Sequence, residues 1–232
     1  MFWQEDTDQT EALDADAVVD VLFSLQCRSL PVDHAYALST ALLELAPWLG
    51  EEPFAAVHTI HVAGSQNGWE RPAHGGDQQL LLSRRTKLSI RVPRLRVGEL
   101  TAALEGQTLE VAGSPLAIGG GKERPLSRDG TLFARYVVAP GEAAGNDEDA
   151  FLTWAAAELA ALDIKVRKAL CGKTTPLSTP DGALATRSLM LASLTPDESI
   201  RLQQYGLGPH RTMGCGIFIP HKGVEAVKKP GG

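Results

Sequence analysis

The segment Gly206-Leu207-Gly208-Pro209-His210-Arg211-Thr212-Met213-Gly214-Cys215-Gly216 sets two Gly-x-Gly pairs around a histidine and an arginine. Glycine accepts positive φ and lets a second chain come close to the backbone. Backbone N–H groups gathered in such a loop, with cations between them, make an anion site. The same spacing also suits a tight connection closing a sheet. A second candidate is His34, which follows Pro31-Val32-Asp33 at the head of a helical pattern. Imidazole titrates near neutrality and can donate or accept a proton in a reaction. A helix N-terminus would lower its pKa and Asp33 would raise it, so the balance is open. Tyr36 lies two residues further on and does not share the face of His34 on a helix; it reads as a packing or cleft-lining tyrosine.

Cations supply the third candidate. Arg85, Lys87 and Arg91 share parity in a strand pattern, with Leu88, Ile90 and Val92 on the opposite face and Arg84 at its edge. Their spacing, about 6.8 Å per two residues, is close to the phosphate repeat of a nucleic-acid strand. A plain solvated strand face is the alternative. Further cations stand at Lys165, Arg167, Lys168, Lys173, Arg187, Lys222, Lys228 and Lys229.

Other motifs fail on inspection. Cys171-Gly172-Lys173-Thr174 imitates the end of a phosphate-binding loop, but Arg167 stands where the first glycine is required. Gly119-Gly120-Gly121-Lys122-Glu123 lacks the Ser or Thr after the lysine. His58 and His61, three apart in a strand pattern, point to opposite faces and make a poor metal pair. Cys27, Cys171 and Cys215 are odd in number and widely spaced, which argues against a disulfide framework or a cysteine zinc site. The expectation is no cofactor and no metal.

The elements that must hold these residues are legible in outline. The chain of 232 residues, 44% hydrophobic, is long enough for two small cores. No apolar run approaches the roughly 18 residues of a membrane span, and the start lacks the pattern of a signal peptide; a soluble, cytoplasmic protein is expected. The net charge of −6 is unevenly spread: residues 1 to 20 carry seven acids and no base, so the rest of the chain is about +1. Glu142, Asp147, Glu148 and Asp149 form a second acidic cluster.

Residues 1–16 read as a polar, mobile lead-in, and 223–232 as a flexible tail. Strand patterns cover 18–27, 55–62, 80–92 and 109–118, the last ending at a turn over Gly119-Gly120-Gly121. Helical patterns follow His34, with Leu38, Leu42, Leu45 and Leu49 on one face, and span 97–104. A loop is expected over Gly64–Gly76. The second half repeats the order. Strands cover 132–138, 165–170, 183–194 and 216–220; helices cover 149–162 and a segment opened by Thr195-Pro196-Asp197-Glu198, a capping box. Two βαββαβ units are therefore expected, an α+β fold of tandem ferredoxin-like (RRM-like) units with antiparallel sheets, 17–125 and 126–222.

The glycine-rich segment running into Ile217-Phe218-Ile219-Pro220 resembles the C-terminal signature of the RAMP superfamily. Within it the chain is similar to the endoribonucleases that process precursor CRISPR RNA, the sixth of the numbered Cas families. Leu30-Pro31-Val32-Asp33-His34-Ala35-Tyr36-Ala37-Leu38, Thr86-Lys87-Leu88-Ser89-Ile90-Arg91-Val92-Pro93 and Glu198-Ser199-Ile200-Arg201-Leu202-Gln203 fit its myxobacterial-type subtype. The resemblance spans about residues 18 to 220. It implies binding of a CRISPR repeat hairpin and the mature crRNA. It also implies metal-independent cleavage by 2′-hydroxyl attack, leaving a 2′,3′-cyclic phosphate. His34 matches the usual place of the catalytic histidine, with Tyr36 a weaker candidate. Arg84, Arg85, Lys87, Arg91, Lys173, Arg187, His210, Arg211 and Lys222, with Gly206, Gly208, Gly214 and Gly216, are the candidate RNA contacts. Residence in an effector complex with other Cas subunits is compatible with the resemblance. The alternatives are a non-catalytic crRNA-binding subunit of the same superfamily and a small-molecule-binding ferredoxin-like protein.

Overall fold

Two runs of β-branched and aliphatic residues, one in each half of the chain, nucleate two separate sheets. In the computed structural model, which describes residues 14–61, 78–141 and 147–221, β1 (Val18–Gln26) is the centre of the first. Its Val19, Val21, Phe23 and Leu25 alternate inward as a half-buried strand requires. It pairs antiparallel with β5 (Lys87–Pro93) on one side and β7 (Ser114–Pro125) on the other. β3 (Ala56–Val57) borders β5 and β6 (Thr108–Val111) borders β7, giving the order β3-β5-β1-β7-β6. α1 (Ala35–Leu45) and α2 (Val97–Leu104) cover one face with Leu38, Leu42, Leu100 and Leu104. β2 (Ser29–Pro31) and β4 (Gln79–Leu81) form a separate two-stranded ribbon.

The second sheet has the order β11-β8-β10-β9, from β8 (Thr131–Val137), β9 (Lys168–Thr179), β10 (Gly182–Ala192) and β11 (Ile219–Pro220). α3 (Glu148–Ala161) and α4 (Pro196–Tyr205) pack on it through Phe151, Ala155, Leu159 and Leu202. Leaving out the β6 edge and the β2–β4 ribbon, the two sheets share one order: the last strand, the first, the third and the second. That order is consistent with paired ferredoxin-like units. β7 ends at Pro125 and β8 begins at Thr131.

Several sequence expectations are corrected. Gly119, Gly120 and Gly121 are no turn; they lie inside β7, where a Cβ on Gly119 would stand 2.3 Å from Ser24 Oγ and one on Gly121 2.8 Å from Phe23. The turn is instead Ala112-Gly113, both at positive φ, closing the β6–β7 hairpin. The expected strand over 80–92 is interrupted at Ser83–Thr86, where the Thr86 hydroxyl accepts the Ser83 N–H. Strand 55–62 shrinks to Ala56–Val57 among the described residues. The 165–170 pattern begins later and runs on to Thr179. α1 stops at Leu45, which is 38% exposed, before Pro47. The capping box at Thr195 and Glu198 is present with both reciprocal bonds. Asp20, one of the seven acids counted over residues 1–20, is a buried member of β1. The expected loop at Gly64–Gly76, the first 13 residues of the lead-in, Lys222 and the tail lie outside the described residues.

Candidate active site and nucleic-acid interface

The register of the first sheet gathers chemistry at one end. Ser24 pairs with Lys87, so the C-terminal end of β1 and the start of β5 are level. β3 runs parallel to β1, and the residues after it, Thr59 to His61, continue to that same end. α1 starts there as well.

His34 is the N-cap residue of α1 and only 1% exposed. Its Nδ1 lies 2.8 Å from the Pro31 carbonyl, and its Nε2 accepts the Ile60 N–H at 2.9 Å. Those bonds fix the neutral tautomer with the proton on Nδ1. The ring thus ties α1 to the 57–61 segment through these two backbone groups. Tyr36 is 39% exposed on the first turn of α1. His61, set aside by sequence reasoning, is exposed, with its ring Nε2 2.9 Å from the Thr59 hydroxyl.

The glycine-rich loop packs on this same junction. Gly206, Gly208, Gly214 and Gly216 all have positive φ. A Cβ on Gly216 would stand 2.2 Å from the Leu207 carbonyl oxygen, one on Gly208 2.4 Å from that of Val138, and one on Gly214 2.6 Å from Thr59 Cγ2. The glycines therefore serve close packing within the loop, against β8 and against the first unit. The N–H groups of Leu207, Met213, Gly214, Cys215 and Gly216 are spent on internal carbonyls and on Tyr136 O, which leaves fewer for an anion than the sequence suggested. His210 stands exposed at the tip in the left-handed region.

Arg211 does not reach outward as expected. Its Nη1 donates to the carbonyls of Pro53, at 2.9 Å, and Tyr205, at 2.8 Å, joining the loop to the first unit. Nε and Nη2 are buried without a partner among the described residues. Burial and the nearby Arg91 guanidinium push this group down to about 9.

Arg91 is also corrected. It has the expected parity but is 0% exposed. Nε donates to Asp20 Oδ1 at 2.8 Å and Nη1 to the Gln203 carbonyl at 2.7 Å, a free acceptor at the C-terminus of α4. Phe218 O lies 3.4 Å away. Arg187 is buried too, with Nη1 donating to Gly172 O and the guanidinium 5.9 Å from the Phe151 ring. Arg85 sits in the turn before β5 rather than on the strand. Arg84, Lys87 and Lys173 are exposed, Lys173 on β9 of the other sheet. Arg167 is held by Glu198 at 2.6 Å. Cross-strand pairing brings in Lys122 and Arg124, which sequence parity within one strand could not reveal: Lys122 opposes Leu22, and Arg124 opposes Asp20.

Asp20 ties this face together, bonded by Arg91, by Arg124 Nη2 at 3.0 Å and by His58 Nε2 at 3.3 Å. Burial opposes its ionisation, but the cations around it hold its carboxyl well below the usual range. His58 is pulled down by burial, with Arg91 and Arg124 adding to the effect and Asp20 opposing it.

Comparison with known sequences decides the family. The Cas6 family, described as Cas6 Crispr, matches residues 19–223. The chain belongs to the Cas6 family. It is 30% identical over 213 residues to the CRISPR-associated endonuclease Cas6 of Myxococcus xanthus (strain DK1622), covering 92% of this chain and 86% of that protein. A solved CRISPR associated protein Cas6 has the same fold at TM-score 0.60 and 13% identity, covering 88% of this chain and 100% of the other. A solved RAMP protein binding different RNA substrates has it at TM-score 0.60 and 15% identity, covering 87% and 98%. Among the described residues no helix is long and apolar enough to cross a membrane.

In this Cas6-family chain the Asp20 network predicts a pH response. A histidine lowered in the folded state binds its proton more readily when unfolded, so stability falls as pH drops below the unfolded value of about 6.5. The Asp20 contribution is lost only lower, as pH falls through its folded value. Denaturant unfolding at pH 7.5 and 5.5 should show the loss, and His58→Gln should flatten it. Equal pH dependence in both proteins would contradict the assignment.

Proposed function

We propose that the protein is a metal-independent endoribonuclease that binds CRISPR repeat RNA and cuts precursor crRNA by attack of a 2′-hydroxyl on the adjacent phosphate. The observation that carries this reading is the family membership, together with the meeting of α1, the 57–61 segment and the glycine-rich loop at one end of a cationic sheet. In the proposed mechanism His34 is a positioning residue that holds Ile60, while the exposed His61 imidazole moves the proton and Tyr36 lines the cleft. Lys87 and Lys122 offer charge to phosphates, since double-stranded RNA is read largely by shape and backbone. The product carries a 2′,3′-cyclic phosphate and a 5′-hydroxyl, and the mature crRNA stays as a ligand.

Incubation with hairpin repeat RNAs in excess EDTA, followed by analysis of the product ends, tests the reading. Cleavage should persist and yield cyclic phosphate. Loss of cleavage in EDTA, or a free 3′-hydroxyl, would overturn the mechanism. The burial of His34 favours a second reading, a crRNA-binding subunit of an effector complex without cleavage. Tight, salt-sensitive binding with intact RNA would establish it.

A further inference from the structure

Beside the candidate active site, at the same end of the first sheet, a groove of about 650 Å³ opens between the end of β1 and the turn before β5. The half-buried Leu82 supplies apolar surface beside the core residue Leu25, Ser24, Gln26 and Ser83 supply polar groups, and Arg28 and Arg84 two guanidinium groups. Both arginines are exposed, and neither pairs with a carboxylate among the described residues. Among the described residues no Asp or Glu lines the groove.

We infer that this groove binds the single-stranded RNA that flanks the repeat hairpin, with a base against the half-buried Leu82 and the adjoining phosphates on Arg28 and Arg84. The inference rests on the proposed function and adds a separate subsite to it. Its chemistry fits a nucleotide. An apolar surface accepts the face of a base, short polar side chains meet base edges and 2′-hydroxyls, and planar guanidinium groups take phosphates bidentately. The volume falls within the range of small-ligand sites, about 300–1,000 Å³. The register gives the path. Thr59 to His61 follow β3, Lys87 opens β5 and Arg28 follows β1, so the three stand at the same end of strands that neighbour one another about 4.8 Å apart. A strand leaving the cleavage site across this end of the sheet passes Lys87 and reaches the groove.

Cys27 lines the groove, its thiol donating to the Ser29 carbonyl at 3.1 Å, and serves as a reporter. Two measurements test the subsite on the full chain. First, affinities are compared for a repeat hairpin with and without a single-stranded flank. The flank should improve binding by about tenfold in the wild type, and the gain should vanish in Arg28→Ala/Arg84→Ala. The salt dependence for the flanked RNA should flatten by about 1.4 in log–log slope, about 0.7 for each phosphate that the variant no longer neutralises. Second, alkylation of Cys27, read by mass spectrometry, should slow in the presence of a short single-stranded oligoribonucleotide and be unaffected by a mononucleotide at equal concentration.

A flank gain that survives the double variant, or unprotected Cys27, overturns the subsite while leaving cleavage standing. Protection by the mononucleotide reassigns the groove to a small ligand and overturns it as well. A protein that cuts no repeat RNA defeats the proposed function, and the Cys27 measurement then decides the groove by itself.

Discussion

Replacing Arg91 with Ala should lower the stability of the whole chain by about 3–5 kcal/mol, because it takes the buried guanidinium from a buried carboxylate and leaves it only the half-exposed Arg124 and His58. Asp20 is 3% exposed and loses its shortest ion pair, while the α4 carbonyl of Gln203 loses its donor. For a chain of this size the shift corresponds to about 10 °C in Tm. Arg91 belongs to β5 and Gln203 to α4, so the loss should weaken the joint between the units as well as one sheet. Buried ion pairs are often replaceable by apolar pairs at little net cost, since both charges avoid desolvation. The double change Asp20→Leu/Arg91→Met should therefore recover much of the stability lost in Arg91→Ala. Chemical denaturation of the three proteins measures this. A loss below about 1 kcal/mol for Arg91→Ala would mean that the ion pair is solvated.

The second large effect concerns the proton carrier. His61→Ala should reduce cleavage by about 10²–10⁴-fold, the usual contribution of a general acid or base. Its exposed ring leaves stability within about 0.5 kcal/mol. His34→Ala should behave differently. It leaves the Ile60 N–H and the Pro31 carbonyl unpaired in a buried site, costing about 1–3 kcal/mol each. Cleavage then falls through displacement of the 57–61 segment. His34→Gln keeps a donor and an acceptor and should restore both stability and most of the cleavage. If His34→Gln melts like the wild type but cuts at least 10²-fold more slowly, while His61→Ala cuts normally, the roles are reversed. His34 would then have to leave its backbone partners when RNA binds.

The contrast between these two histidines shows where sequence reading succeeds. The main strands and helices and the capping box at Thr195 follow from local rules: alternation of apolar residues, helical spacing and turn chemistry. The glycine-rich segment was equally visible as a motif, and its positive φ values bear out the backbone reason for glycine. Its role was less visible. The Cβ positions that glycine leaves open are filled by Leu207 O, Val138 O and Thr59, partners distant in sequence or across a turn.

By itself, the sequence determined the α+β pattern and the family, because each rests on short-range periodicity or contiguous motifs. Only tertiary structure decided which polar groups face solvent. Parity placed Lys87 and Arg91 on one face correctly, yet packing of the second unit sealed Arg91 against Gln203 and left Lys87 open. Likewise His34 is enclosed by Ile60, 26 residues on, and Lys122 and Arg124 join the cationic face through pairing with β1. Burial of a charge depends on what covers it, and here the cover comes from segments tens to more than a hundred residues away.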